Sequence, residues 1–124
     1  MKTMEARLLK WKRRANHILG INNLKICGRY GNALNEDWTF EYNDTIDTWG
    51  TCNYNIQQIQ MTTYAVEVLK NSMIEDIICH EVAHALLRPE PFTNILRNAL
   101  GEIEDEHGKL FQETFKEVKV KAKL

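Results

Sequence analysis

Ser72-Met73-Ile74-Glu75-Asp76-Ile77-Ile78-Cys79-His80-Glu81-Val82-Ala83-His84-Ala85-Leu86 is the stretch whose reading decides the fold. Met73, Ile77, Ile78, Val82, Ala85 and Leu86 recur at helical spacing. Ser72 with Glu75 three residues on forms a capping box, in which hydroxyl and carboxylate each satisfy a free backbone donor at a helix start. Pro89 and Pro91 stop the helix beyond Leu86. His80-Glu81-Val82-Ala83-His84 therefore sits in the middle of a largely buried helix, and it spells HExxH. Positions i and i+4 share a helix face, so the two imidazoles can meet one metal ion. Glu81 lies one residue on, angled away, where a carboxylate can take a proton from a water activated by zinc.

The flanking sequence predicts an α+β domain. Thr3 to Leu19 reads as an amphipathic helix through Met4, Leu8, Trp11, Ala15 and Ile18, with Gly20 as its stop and Trp11 as a core anchor. From Leu24 the period changes to two. Leu24 and Ile26 begin a strand, and Trp38, Phe40 and Tyr42 alternate with polar residues in a second, half-buried one. Asn43-Asp44 is a turn into Thr45–Trp49, and Gly50 breaks or bulges that run. Ile56–Met61, with Ile59 and Met61 on one face, completes an expected antiparallel sheet of three to four strands. Thr62 or Thr63 caps a short helix through Leu69, and Asn71 and Ser72 mark a break before the HExxH helix. Phe92–Leu100 reads as another short helix or a structured loop. His107 opens a C-terminal helix with Leu110, Phe111, Thr114, Phe115 and Val118 as its apolar stripe. The 124 residues suit one domain with one core, residues 1–124.

Net charge is −1, which by itself points to no nucleic-acid partner. The distribution is less even. Lys2, Arg7, Lys10, Lys12, Arg13 and Arg14 crowd the N-terminus against Glu5 alone, and Lys109, Lys116, Lys119, Lys121 and Lys123 the C-terminus. The stretch Glu102, Glu104, Asp105 and Glu106 is acidic. Solvated helix faces with a frayed tail account for this pattern, and so does a basic surface that contacts DNA or RNA. Cys27, Cys52 and Cys79 form no CxxC pair, which argues against a disulfide framework and against a cysteine-rich zinc module. No stretch has the length of a signal-peptide core or a membrane span, so a cytoplasmic protein is expected.

A catalytic zinc takes three protein ligands and keeps one position open. His80 and His84 supply two. Leu87 and Arg88 stand where a metzincin glycine turn would begin, so the third ligand lies farther downstream. His107 is the best candidate, with Glu102, Glu104 and Glu106 as rivals for a gluzincin-like site. His17 reads as a surface or packing histidine. Cys79, adjacent to His80 but about 100° round the helix, reads as a thiol packed under the site, and Cys52 as a small core residue. Tyr54 and Tyr64 are candidates to hold an oxyanion, although packing roles suit both.

Three blocks together resemble the SprT-like zinc metalloproteases, the family of the Spartan protease that acts on DNA–protein crosslinks. The blocks are Trp49-Gly50-Thr51-Cys52-Asn53-Tyr54 followed by Ile56–Met61, then Ile77 to Leu86 around HExxH, and His107-Gly108-Lys109-Leu110-Phe111, which is similar to the family's HGxxF element. The resemblance implies a zincin-like fold, a bound Zn2+, His107 as third ligand and a compact protease core. Two departures stand out. The link from His84 to His107 is long for the family and suggests an inserted loop around Pro89–Glu106. A compact form without the family's cysteine-rich zinc ribbon is expected, similar to forms from phage and other mobile-element genomes.

The expected function is a zinc-dependent metalloendopeptidase, with Glu81 as general base. Protein or peptide is the expected substrate, paired by its backbone along Ile56–Met61 as an edge strand. DNA contact is expected through the basic terminal helices. A nucleic-acid-associated binding protein with a structural zinc and a gluzincin-like peptidase are the alternatives.

Overall fold

The computed structural model describes residues 3–22, 24, 38–87 and 108–123. These build helix α1 (Met4–Ile21), strands β1 (Thr39–Tyr42), β2 (Gly50–Asn53) and β3 (Gln58–Met61), and helices α2 (Thr63–Val68), α3 (Asn71–Leu86) and α4 (Lys109–Ala122). The architecture is α+β, as the periodicities predict. The expected strand at Leu24 and Ile26 runs beyond Leu24 outside the described residues, and so do Phe92–Leu100 and the loop Pro89–Glu106.

Thr3 caps α1 by accepting from the Ala6 N–H at 3.2 Å, which satisfies one of the free donors at the helix start. Gly20 does not stop this helix. Ile18 and Leu19 are fully buried and hold the last turn in place, so the helix runs on to Ile21 and ends at Asn22. Trp11 anchors the core as expected, at 5% exposure.

The sheet has the order β1-β3-β2, with β2 and β3 antiparallel but β1 and β3 parallel. The expected all-antiparallel sheet is therefore wrong, and the reason is topological. Three successive strands run up, down and up. Placing the third beside the first makes that pair parallel, and the fifteen residues 43–57 between them supply the crossover that parallel pairing requires. Within that crossover, residues 44–49 are turns and bends, and the strand begins at Gly50 rather than ending there. Asn53 Oδ1 accepts from the Asn55 and Ile56 N–H groups in the turn to β3, where Gln57 takes a left-handed φ of 51°. β3 is the central strand, with Ile59 and Met61 each 1% exposed, so Ile56–Met61 is not an edge strand. Among the described residues, β2 is the outer strand beside α3.

Thr62 caps α2 through the Ala65 N–H at 3.1 Å. The capping box expected at Ser72 does not form. Helix α3 starts two residues earlier than that box requires, at Asn71 with Lys70 as N-cap, and without a side-chain cap. Glu75, whose carboxylate the box needs, is bonded to Arg14 of α1, so a tertiary ion pair replaces the local cap. Ile74, Ile78 and Val82, all 1% exposed or less, secure the helix against the sheet and α1. Each such side chain contributes about 1.5–3 kcal/mol of hydrophobic burial. In α4 the buried residues are Phe111, Val118 and Ala122, Phe115 is half-buried, and Leu110 of the expected stripe faces solvent.

Candidate metal centre

His80, Glu81 and His84 lie in the C-terminal half of α3 rather than in its middle, with His84 two residues before the helix end. One ligand atom from each of the three lies within 4.8 Å of the others. The two Nε2 atoms are 3.2 Å apart. Two zinc–nitrogen bonds of about 2.0–2.1 Å at a tetrahedral angle span roughly 3.3 Å. The pair thus already holds the spacing of two ligands on one ion, and imidazole is a donor that zinc accepts. Glu81 and His84 are 7% and 8% exposed. A cation held between the imidazoles would sit beside this buried carboxylate.

Three neighbours position this cluster. Helix α4 packs Phe111 against both rings, with centroids 4.5 Å from His84 and 4.8 Å from His80, and Phe115 adds an edge contact to His80. Gly50 of β2 lies close to α3, where a Cβ would meet Ile77 Cγ2 at 2.7 Å and Glu81 Cγ at 3.6 Å. The strand approaches the Glu81 side chain this closely because position 50 has none. Tyr54, just past β2, donates its hydroxyl to the His84 carbonyl at 3.1 Å. That carbonyl belongs to the last helical turn, which has no intrahelical donor to offer it. The Tyr54 ring is held in turn by an edge contact with Trp38.

The sequence-predicted residues divide accordingly. His80, Glu81 and His84 come together. His107 and its rivals Glu102, Glu104 and Glu106 lie outside the described residues. Gly108, next after His107, caps α4. Cys79 is fully buried and its thiol is pushed up to about 12, chiefly by desolvation and further by Glu75 and Asp76, so it packs under the site as a neutral thiol. Cys52 is half-buried against the core. His17 is exposed on α1. Tyr54 has its hydroxyl on a backbone carbonyl, and Tyr64 is exposed on α2, stacked on Trp49 at 5.8 Å. Sequence reasoning missed Gly50 and Phe111 as parts of the site. Both sit in the blocks that carry the family resemblance, and that was their only signal.

A buried HExxH helix against a small mixed sheet, with its two imidazoles set at metal-ligand spacing, is a metalloprotease-like arrangement. The family model for the SprT-like family matches residues 3–124, and the chain belongs to that family. Searches of curated proteins and of solved structures gave no significant match. No helix among the described residues is long and apolar enough to cross a membrane.

Proposed function

We propose that the chain is a zinc-dependent endopeptidase. The observation that carries this reading is the 3.2 Å Nε2–Nε2 spacing of His80 and His84 with the buried Glu81 beside them. His80 and His84 would hold the ion, and His107 is proposed as the third ligand. It directly precedes Gly108, the start of the helix whose Phe111 touches both imidazoles. When bound, the ion supplies Lewis acidity, polarising a peptide carbonyl and bringing the pKa of water toward neutrality.

The chain's own residues do the rest. Glu81 takes the proton of the attacking water and passes it to the leaving amine. Phe111 and Phe115 keep bulk water from one side of the imidazoles, which strengthens electrostatic interactions there. Gly50 brings β2 against the Glu81 side chain, so this strand borders the path by which a peptide would reach the general base.

The test is zinc content and casein cleavage for wild type and Glu81→Gln. Full zinc with at least a hundredfold loss of turnover supports the reading, since removing a general base costs about 10²–10⁴ in rate. Full zinc with unchanged cleavage sinks it. In His107→Ala, zinc retained at wild-type affinity would shift the third ligand to a carboxylate among Glu102, Glu104 and Glu106.

A further inference from the structure

Large apolar side chains scattered singly over a surface are ordinary, whereas a contiguous group of them marks a place where something binds. One such group adjoins the metal centre. Trp49 and Tyr64 are 43% and 58% exposed. Their rings stack with centroids 5.8 Å apart and planes 16° from parallel. The two come from different elements, the bend before β2 and the first turn of α2, so this is a tertiary contact left open to water.

The frame beneath the stack is fixed. The Thr62 N–H donates to the Trp49 carbonyl at 3.0 Å, while the Thr62 hydroxyl caps α2. Thr63, next to Tyr64, donates both its N–H and its hydroxyl to the Asp44 carboxylate. The Thr48 hydroxyl donates to the Gly50 carbonyl at 2.6 Å, so the backbone on either side of Trp49 is tied as well. A partner that covers the two rings meets a surface already in place, at little cost in ordering.

Gly50 connects this surface to the site. Strand β2 and helix α3 advance in the same sense: Gly50 lies against Ile77 and Glu81, and Tyr54 reaches the His84 carbonyl. Trp49, one residue before Gly50, thus lies toward the start of α3. There Met73, Ile77 and Glu81 follow at i, i+4 and i+8, the spacing of one helix face, and Met73 is 48% exposed. A Cβ on Gly50 would stand 3.6 Å from Glu81 Cγ, and consecutive Cα atoms are about 3.8 Å apart, so the Trp49 Cα lies within roughly 9 Å of that atom. Extended chain covers about 3.3 Å per residue, which makes this distance two or three residues of a bound peptide. The general base therefore stands at one end of an apolar surface formed by Ile77, Met73 and the aromatic pair.

We infer that the Trp49–Tyr64 stack is a specificity subsite, taking a bulky apolar side chain, aromatic above all, two or three residues from the bond that is cut. The inference rests on the peptidase reading and names what its substrate carries. A flat ring from the peptide extends the stack in offset or edge-on packing and removes apolar area of both partners from water.

The experiment uses short internally quenched peptides that differ only in Phe, Leu, Arg or Ala, walked through the three positions on either side of the scissile bond. Cleavage sites are read by mass spectrometry. At its best position Phe is expected to raise kcat/KM about tenfold over Ala with the zinc-loaded wild type. In Trp49→Ala and in Tyr64→Ala that ratio should fall to about one, and Trp49→Phe, which keeps a ring, should recover most of it. Melting shows that each variant is folded. Binding is read separately, by anisotropy of the same peptides on zinc-loaded Glu81→Gln, where Phe over Ala should again be about tenfold and should vanish when Trp49→Ala is added. Cleavage without a Phe preference, with Arg preferred to Phe, or with a Phe preference that survives both alanine variants would overturn the subsite and leave the peptidase reading standing. No cleavage of any peptide, with Phe-selective binding that depends on Trp49, would end the peptidase reading and keep the stack as a peptide-binding site. No cleavage and no Phe-selective binding would overturn both.

Discussion

At position 50 a single methyl group decides how close a strand can come to the helix that carries the site. An alanine Cβ there would lie 2.7 Å from Ile77 Cγ2 and 3.2 Å from the Gln60 carbonyl. Ile77 Cγ2 sits on a β-branched Cβ that a helix holds in one rotamer, and the carbonyl belongs to the central strand, so neither gives way easily. Gly50→Ala is therefore expected to cost about 1–3 kcal/mol, the usual range for overpacking. It should also reduce peptide cleavage by more than that loss explains, because the clash falls on Ile77, one helical turn before Glu81 on α3. Denaturant unfolding and casein turnover at matched folded fraction separate the two effects. Tyr54→Phe tests a different contribution. Loss of one hydrogen bond to the His84 carbonyl should cost about 1 kcal/mol and leave turnover within a few-fold. A drop of about a hundredfold or more would instead assign the phenol to an oxyanion. His80, Glu81 and His84 were legible in the sequence because helix geometry alone places i and i+4 together. Gly50, Tyr54 and Phe111 act on α3 from other elements, and no local pattern encodes such a contact.

Among the elements, helices and strands followed from period and caps, whereas their partners did not. The alternation Trp38, Phe40, Tyr42 found β1, and Thr62 found the start of α2. The parallel pairing of β1 with β3 depends on where β2 docks, which no periodicity records. Ser72 shows the same limit. A local capping box is available, yet Glu75 bonds Arg14 instead. Ser72→Ala should therefore change stability by less than about 0.5 kcal/mol, and Glu75→Gln by about 1–2 kcal/mol through the partly buried pair. Near-equal effects in thermal melts would restore the box. Tyr42 gives the elements a pH signature. Its hydroxyl donates to the Leu8 carbonyl at 2.6 Å, tying β1 to α1, and desolvation pushes it up from 10.0 to about 12. Between those values the folded chain holds a proton that the unfolded chain has released, so stability must fall as pH rises from 10 to about 12. Below pH 10 the contribution is fully present. Tyr42→Phe should flatten this decline in unfolding titrations. An unchanged slope would mean that other groups govern it.

For the whole molecule, the metal centre is where separate elements meet: α3 holds two imidazoles, α4 lays Phe111 across both, and β2 closes on the Glu81 side. With His107 as the proposed third ligand, one residue before the α4 cap, an ion on His80 and His84 of α3 would join the stability of α3 to that of α4. Ligand that binds only the folded state stabilises by RT ln(1 + [L]/Kd), about 4 kcal/mol at a thousandfold excess over Kd. Chelation should therefore lower the melting temperature by several degrees, and zinc should restore it in proportion to the logarithm of its concentration. His84→Ala should abolish the zinc-dependent shift. His107→Ala should shrink it without abolishing it, since two ligands on one helix still bind, but more weakly and without bridging to α4. Glu81→Gln should keep the full shift, because a general base is needed for turnover and not for the ion. If His107→Ala shows the same zinc-dependent shift as the wild type, the ion is held without bridging α3 and α4, and His107 loses its place as the third ligand.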